Sequence, residues 1–549
     1  MQPTIWRGTP HVLRLASVIA WILTPLGARI LQFIILVPIV LWLAWQLKAP
    51  APLAASAPAT TFSAERAMTH VDAIAQKPHP LGSAENARVR QYLRNKLMSL
   101  GLKPEVQTAL VTRNMRGQVL AGMVHNVVTR LNGTDPTRAV LLAAHYDSTS
   151  MGPGAGDDAT GVAALLETLR ALRAGPPLRN DVIFLFTDGE ERGLLGAKAF
   201  VDGHRWAKHV GVALNFEARG NAGPVVMFET SEHNSWLIGE FARAAPDPLA
   251  YSFVSDLYQR MPNDTDLTEF KQAGMAGLNF AMAEGWAAYH TSQDTVAALD
   301  QGSLQHHGAY ALALVRQLGN LNLHSVPPGH EVYFTAAGRL FHYPQSLAAP
   351  LAGLVVLAFG AVVTLGLRRK RVRLPGIGLA ALVFLLNVAV AGALGFVAVH
   401  LLIDLIHENE IVPRYDTRLY AVGFAALALV STMLLYRWLR TRVGVANLVV
   451  GAGACWLLLA MATALALPGA NYLFIWPLLF SLLALAPAVA YAEPSAVTRQ
   501  WAALVLAVVV AALFIPALWV LFTLMPVTLY PAGALVAAVA SALLVPHLL

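Results

Sequence analysis

Three short runs are apolar at nearly every position, Ala139 to Ala144 (AVLLAA), Asp181 to Phe186 (DVIFLF) and Val210 to Phe216 (VGVALNF), and each is followed by charged residues. Runs of this length without polar alternation belong in strands covered on both faces, as happens where helices flank a parallel sheet. Helical segments at Gly161 to Ala174 and Leu194 to Asp202 lie between them, so strand and helix alternate. The expected fold is an α/β sandwich with a mostly parallel central sheet. Two helices at Ser63 to Ala75 and Ala84 to Leu100 and a strand at Val124 to Leu131 precede it, with Ser63 placed to cap the first helix and Glu65 in its first turn. In open sheets of this kind ligands bind beyond the carboxyl ends of the strands.

The charged residues fall at those ends. AHYDS (Ala144 to Ser148), GDDATG (Gly156 to Gly161), TDGEER (Thr187 to Arg192) and NFEARG (Asn215 to Gly220) bring His145, Asp157, Asp158, Glu190, Glu191 and Glu217, and YHTSQDT adds His290. This donor set holds only oxygen and nitrogen and suits zinc, and more than one zinc. Each motif alone admits an ordinary reading: His145 as a satisfied histidine, and Asp157 and Asp158 as a solvated turn or a helix cap before Val162. Adjacent carboxylates such as Glu190 and Glu191 repel each other unless a cation or proton intervenes. Asp147, two residues beyond His145, shares its face of the strand and can orient the imidazole. The joint occurrence of five such motifs favours the metal site.

The rest of the chain is built for a bilayer. Of 549 residues, 56% are hydrophobic and 13% charged, which points to a membrane protein carrying a separate folded domain. Residues 1–48 are expected to form a cytoplasmic segment and an anchor helix. Residues 12 to 28 are too interrupted to span and read as an interfacial helix, whereas Ile30 to Leu47 is long enough to cross. A cleavable signal peptide is the alternative for this anchor, because APLAASAPA offers small-residue cleavage sites. An Ala/Pro-rich tether at 49–62 leads to the globular domain at 63–328, a linker at 329–345 and a membrane domain of about seven helices at 346–549. The net charge of +7 does not indicate nucleic acid, because its basic residues cluster beside apolar spans, in RRKRVR (Arg368 to Arg373) and RWLRTR (Arg437 to Arg442). With these inside, the globular domain lies on the periplasmic or lumenal side, in a bacterial inner membrane by expectation. Cys455 is the only cysteine, so no intrachain disulfide forms and no thiolate site is expected.

Taken in order, AHYDS, GDDATG, DGEE, NFEARG and YHTSQDT resemble the M28 zinc exopeptidases over about 65 to 325. With an anchor helix before and several spans after, the chain looks most like the branch that holds the endoplasmic reticulum metallopeptidase and the fungal vacuolar membrane protease. The resemblance implies two zinc ions, one held by His145 and Glu217, the other by Glu191 and His290, with Asp157 bridging. It also implies Glu190 as general base and Asp147 as the partner of His145, with Asp158 bracing its turn. Many aminopeptidases of the family have Asp where this chain has Glu217, which leaves the metal spacing open. By the same resemblance, Asp264 and Asp266 in NDTDLTEF fall where the family places a substrate-side loop, so one of them is a candidate contact to the substrate or its amino terminus, with loop capping the ordinary alternative. Tyr251 and Tyr258 are candidate oxyanion donors, and His306 and His307 read as surface or packing residues. The implied reaction is hydrolysis of peptides from their amino terminus. A single-zinc glutaminyl cyclase on the same scaffold is one alternative; a transporter or membrane scaffold is another, though its spans hold almost no ionisable residue away from their ends. Partners are a peptide substrate and the bilayer, with homo-oligomerisation open.

Overall fold

The computed structural model describes residues 25–115, 117–324, 327–409, 417–490, 496–525 and 527–548. The interfacial helix expected at 12 to 28 lies outside them except at its end, where the first helix, Pro25–Trp45, begins.

Seven strands form the main sheet, in the order β1-β2-β4-β3-β5-β7-β6. The central four, β4 (Val182–Thr187), β3 (Ala139–His145), β5 (Val210–Ala218) and β7 (Ala276–Met282), run parallel. The hairpin of β1 (Glu105–Met115) and β2 (Gln118–Leu131) closes one edge antiparallel to β4, and β6 (Val226–Thr230) closes the other antiparallel to β7. Every residue of β3, β4 and β5 is buried. Strand alternation sends Val140, Leu142, Phe184, Phe186, Leu214 and Phe216 to one helical layer and Leu141, Ala143, Ile183, Leu185 and Ala213 to the other. Helices Ala64–Ile74, Thr160–Arg173 and Gln301–Leu318 cover the first face, and Leu195–Gly203 and Asp266–Gln272 the second. Ser63 caps the first of these helices, its side chain accepting from the Arg66 amide.

Two segments differ from expectation. The Ala/Pro-rich stretch read as a tether is pinned to the globular domain, because its free carbonyls accept from arginines. Arg66 bonds Ala55 and Ala57, Arg170 bonds Ala59 and Thr61, and Arg316 bonds Thr60. The stretch read as a linker is a hairpin of β8 (Glu331–Ala336) and β9 (Arg339–Pro344). Tyr333 is buried there, and Phe334 stacks on Tyr472 of a membrane helix at 4.5 Å.

Among the described residues, eight helices are long and apolar enough to cross a membrane, one before the sheet and seven after it. Pro487 and Pro516 fall inside helices rather than in loops, whereas Pro526 lies outside the described residues. An apolar core is continuous between the two regions: Tyr251, Val254 and Val332 pack with Leu448, Trp456 and Leu478.

Candidate metal centre

The carboxyl ends of the parallel strands converge on one hollow. His145 ends β3, with its side chain 1% exposed. Its Nδ1 lies 2.9 Å from the backbone carbonyl of Asp147, to which it donates, so Nε2 points inward. Nε2 sits 3.0 Å from Asp157 Oδ1 and 3.5 Å from Glu217 Oε2. The other oxygen of Asp157, Oδ2, is 3.1 Å from His290 Nε2, and that nitrogen is 3.2 Å from Glu191 Oε2. Asp157 thus faces one histidine with each oxygen. Donor atoms of His145, Asp158 and Glu217 lie within 4.8 Å of one another, as do those of Asp157, Glu191 and His290.

Asp158 holds its turn, as its Oδ1 accepts the Gly161 amide at 3.0 Å, while its Oδ2 is buried without a partner and within reach of His145. Asp147 is wholly buried; its carboxylate is 3.6 Å from His145 Nδ1 and accepts the Glu190 amide at 3.1 Å, so it positions both residues.

The electrostatics describe a site in want of positive charge. Burial would push the His145 imidazole down, but the carboxylates of Asp147, Asp157 and Glu217 outweigh it and hold it well above its ordinary value. Burial likewise opposes His290, yet Asp157 and Glu191 raise it to about 10. Asp157 resists the upward push of burial and falls to about 2 because both histidines bond it. Burial, then the charge of Asp157, lifts Glu191 to about 7. Burial, then the charge of Glu217, lifts Glu190 well above the carboxylate range. Protons here occupy places that a cation can fill.

Whether zinc fits can be judged from the donors. They are imidazole and carboxylate in two groups of three, with buried Asp158 Oδ2 and Glu191 Oε1 left unbonded. Oxygen and nitrogen donors in that number match zinc. The only cysteine, Cys455, sits in the membrane helix Val445–Ala466.

Two supporting residues carry no role in the sequence reading. Asp294 accepts the amides of Gly156 and Asp157 at 2.7 and 3.0 Å and so fixes the turn that presents Asp157. Asn215 donates to Glu217 Oε1 at 3.1 Å and to Asn279, which in turn donates to Glu229. Both lie in quoted motifs, but only the folded chain supplies their partners. Asp294→Asn is expected to weaken zinc affinity about 10- to 100-fold, measured by competition with a chromogenic chelator.

Of the substrate-side candidates, Asp264 and Tyr258 line the cavity in front of the carboxylates. The Tyr258 hydroxyl is buried without a partner. Asp266 is elsewhere: it is 0% exposed and its Oδ2 takes a 2.5 Å hydrogen bond from Thr187 at the end of β4, so it is closed to substrate. Tyr251 is buried against Phe253 and does not line the cavity. His306 accepts the Val225 amide and His307 packs against Phe216, both as core residues.

The family model of peptidase family M28 matches residues 126–315, a stretch that takes in all five motifs. The chain carries an M28 peptidase domain. Endoplasmic reticulum metallopeptidase 1 of Rattus norvegicus is 31% identical over 336 residues, covering 57% of this chain and 37% of that protein. The vacuolar membrane protease of Candida albicans (strain WO-1) is 32% identical over 298 residues, covering 53% and 34%. The chain therefore matches little more than a third of these relatives' length. Among solved structures, an aminopeptidase from Aneurinibacillus sp. strain AM-1 aligns with 49% of this chain and 97% of its own, at 15% identity and a TM-score of 0.40. In this chain the M28 domain is joined to the membrane helices by hydrogen bonds as well as apolar packing. Glu284, just past β7, pairs with Arg418 at 2.8 Å and accepts the Trp519 indole at 2.6 Å.

Proposed function

We propose that the protein is a membrane-anchored zinc exopeptidase that holds two zinc ions and releases residues from the amino terminus of peptides on the periplasmic or lumenal side of its membrane. The observation that carries this reading is Asp157, whose two oxygens face two histidines belonging to separate donor groups, with Glu190 in the same cavity. His145 and Glu217 would hold one ion, Glu191 and His290 the other, and Asp157 both. Bound there, divalent ions lower the pKa of water and polarise a peptide carbonyl.

The chain's own residues do the rest. Glu190 stands outside both donor groups and is held by its amide to Asp147. Its carboxylate lines the cavity, where it can take a proton from water and hand it to the departing nitrogen. Tyr258 offers an uncommitted hydroxyl to the substrate carbonyl. Asp264 lines the same cavity and belongs to neither donor group, which leaves its carboxylate available to a substrate ammonium group. That placement supports an aminopeptidase.

The test is zinc content together with peptide release by the purified full-length protein. About two zinc per chain and stepwise release of N-terminal residues from free, but not N-blocked, peptides is expected. Cyclisation of an N-terminal glutamine without hydrolysis, or flux of peptide across vesicles insensitive to chelation, would replace the reading.

A further inference from the structure

The cavity that holds Glu190 is not closed by the M28 domain alone. It has a volume of about 350 Å³ and reaches Trp519, Val520, Thr523 and Leu524 of the membrane helix Ala496–Leu524. That volume lies within the range of ~300–1,000 Å³ usual for small-ligand sites. These four residues lie far beyond the stretch matched by the family model, which ends at 315. We propose that this membrane helix is the specificity wall of the catalytic pocket, selecting peptides whose residue beside the cleaved bond bears a large apolar side chain. The inference rests on the exopeptidase reading and names its substrate class.

Chemistry and attachment both support it. Apart from its polar groups, the cavity is walled by Val226, Phe228, Val254 and Leu257 of the M28 domain, which meet Val520 and Leu524. A space of that lining gains from an apolar side chain and penalises an unfilled or polar one. Thr523 adds a buried hydroxyl without a partner, a group able to bond the substrate backbone.

The wall is fastened beside the chemistry. Trp519 donates to Glu284, six residues before His290. Arg418 holds both oxygens of Glu284, at 2.9 and 3.1 Å, and also bonds the Leu47 carbonyl at the end of the anchor segment. On another side of the cavity, Ser252 donates to the Gly469 carbonyl at 2.7 Å and Asp256 accepts the Gly469 amide at 2.8 Å. Those bonds hold the helix Ser252–Tyr258, which presents Val254, Leu257 and Tyr258 to the cavity. A simple anchor could attach anywhere on the domain; here both clasps involve segments that form the pocket.

The experiment uses full-length protein in nanodiscs and peptides differing only in their N-terminal residue, Ala, Leu or Phe. Wild type is expected to favour Leu and Phe over Ala in kcat/KM by about 10-fold or more. Val520→Trp fills the wall and should cut the Leu-to-Ala ratio by about 10-fold; Leu524→Ala enlarges it and should raise the Phe-to-Leu ratio. Zinc content and a monodisperse elution profile establish that each variant is folded. Should Val520→Trp fail to fold, Leu524→Ala decides by the Phe-to-Leu ratio. A wild type indifferent to side-chain size, or ratios unchanged in folded variants, overturns the wall and leaves the exopeptidase standing. A zinc-loaded wild type that cleaves no peptide overturns the exopeptidase and the wall with it.

Discussion

Glu190→Gln is expected to lower kcat by about 10²- to 10⁴-fold and to leave zinc content unchanged. The residue is fixed through its backbone, whose amide donates to Asp147 Oδ1 at 3.1 Å, so the substitution does not disturb its placement. The neutral amide keeps the shape of the carboxylate and loses only the capacity to accept a proton. Glu190 belongs to neither donor group, which is why metal and turnover are expected to part company. Steady-state kinetics with metal analysis on the same preparation checks this. Near-normal turnover would remove Glu190 as the base, and loss of zinc would make it a ligand instead.

Asp157→Asn is expected to reduce zinc from two ions per chain to one or none and to lower activity by about 10³-fold or more, the equivalent of losing several kcal/mol of charge stabilisation. The reason is positional. Among the described residues, Asp157 is the one carboxylate that spans the two histidines, at 3.0 Å from His145 and 3.1 Å from His290. Its turn is held independently by Asp294 through the Gly156 and Asp157 amides, so the folded domain should survive. Metal analysis and thermal melting separate the two effects: zinc is lost from a protein that still unfolds cooperatively. Retention of both ions at full activity would show that Asp157 bridges nothing.

How much of this was legible depended on what each residue packs against. The strands β3, β4 and β5 could be read because burial on both faces leaves no polar position in them, and their acidic ends followed from that. The edge hairpin was half missed: β1 alternates between half-buried and exposed positions, a pattern that a loop also shows. The β8–β9 hairpin was hidden for a different reason, since its order comes from packing on Tyr472 across the chain. Within the site, ligand-type residues announce themselves by chemistry, but Asn215 and Asp294 matter through hydrogen bonds to groups distant in sequence. Asp264 and Asp266 show the limit most plainly. Two residues apart, Asp264 on a loop reaches the cavity and Asp266, which opens the helix Asp266–Gln272, is sealed behind Thr187. Trp519 and Val520 carry no signal at all, because within a span an apolar residue facing a pocket looks like one facing lipid.

The most direct test of the proposed two-ion centre is anomalous diffraction at the zinc edge from crystals of the full-length protein grown with zinc. Two peaks are predicted on either side of the Asp157 carboxylate, one beside His145 and Glu217 and the other beside Glu191 and His290. A single peak, or peaks away from Asp157, would contradict it.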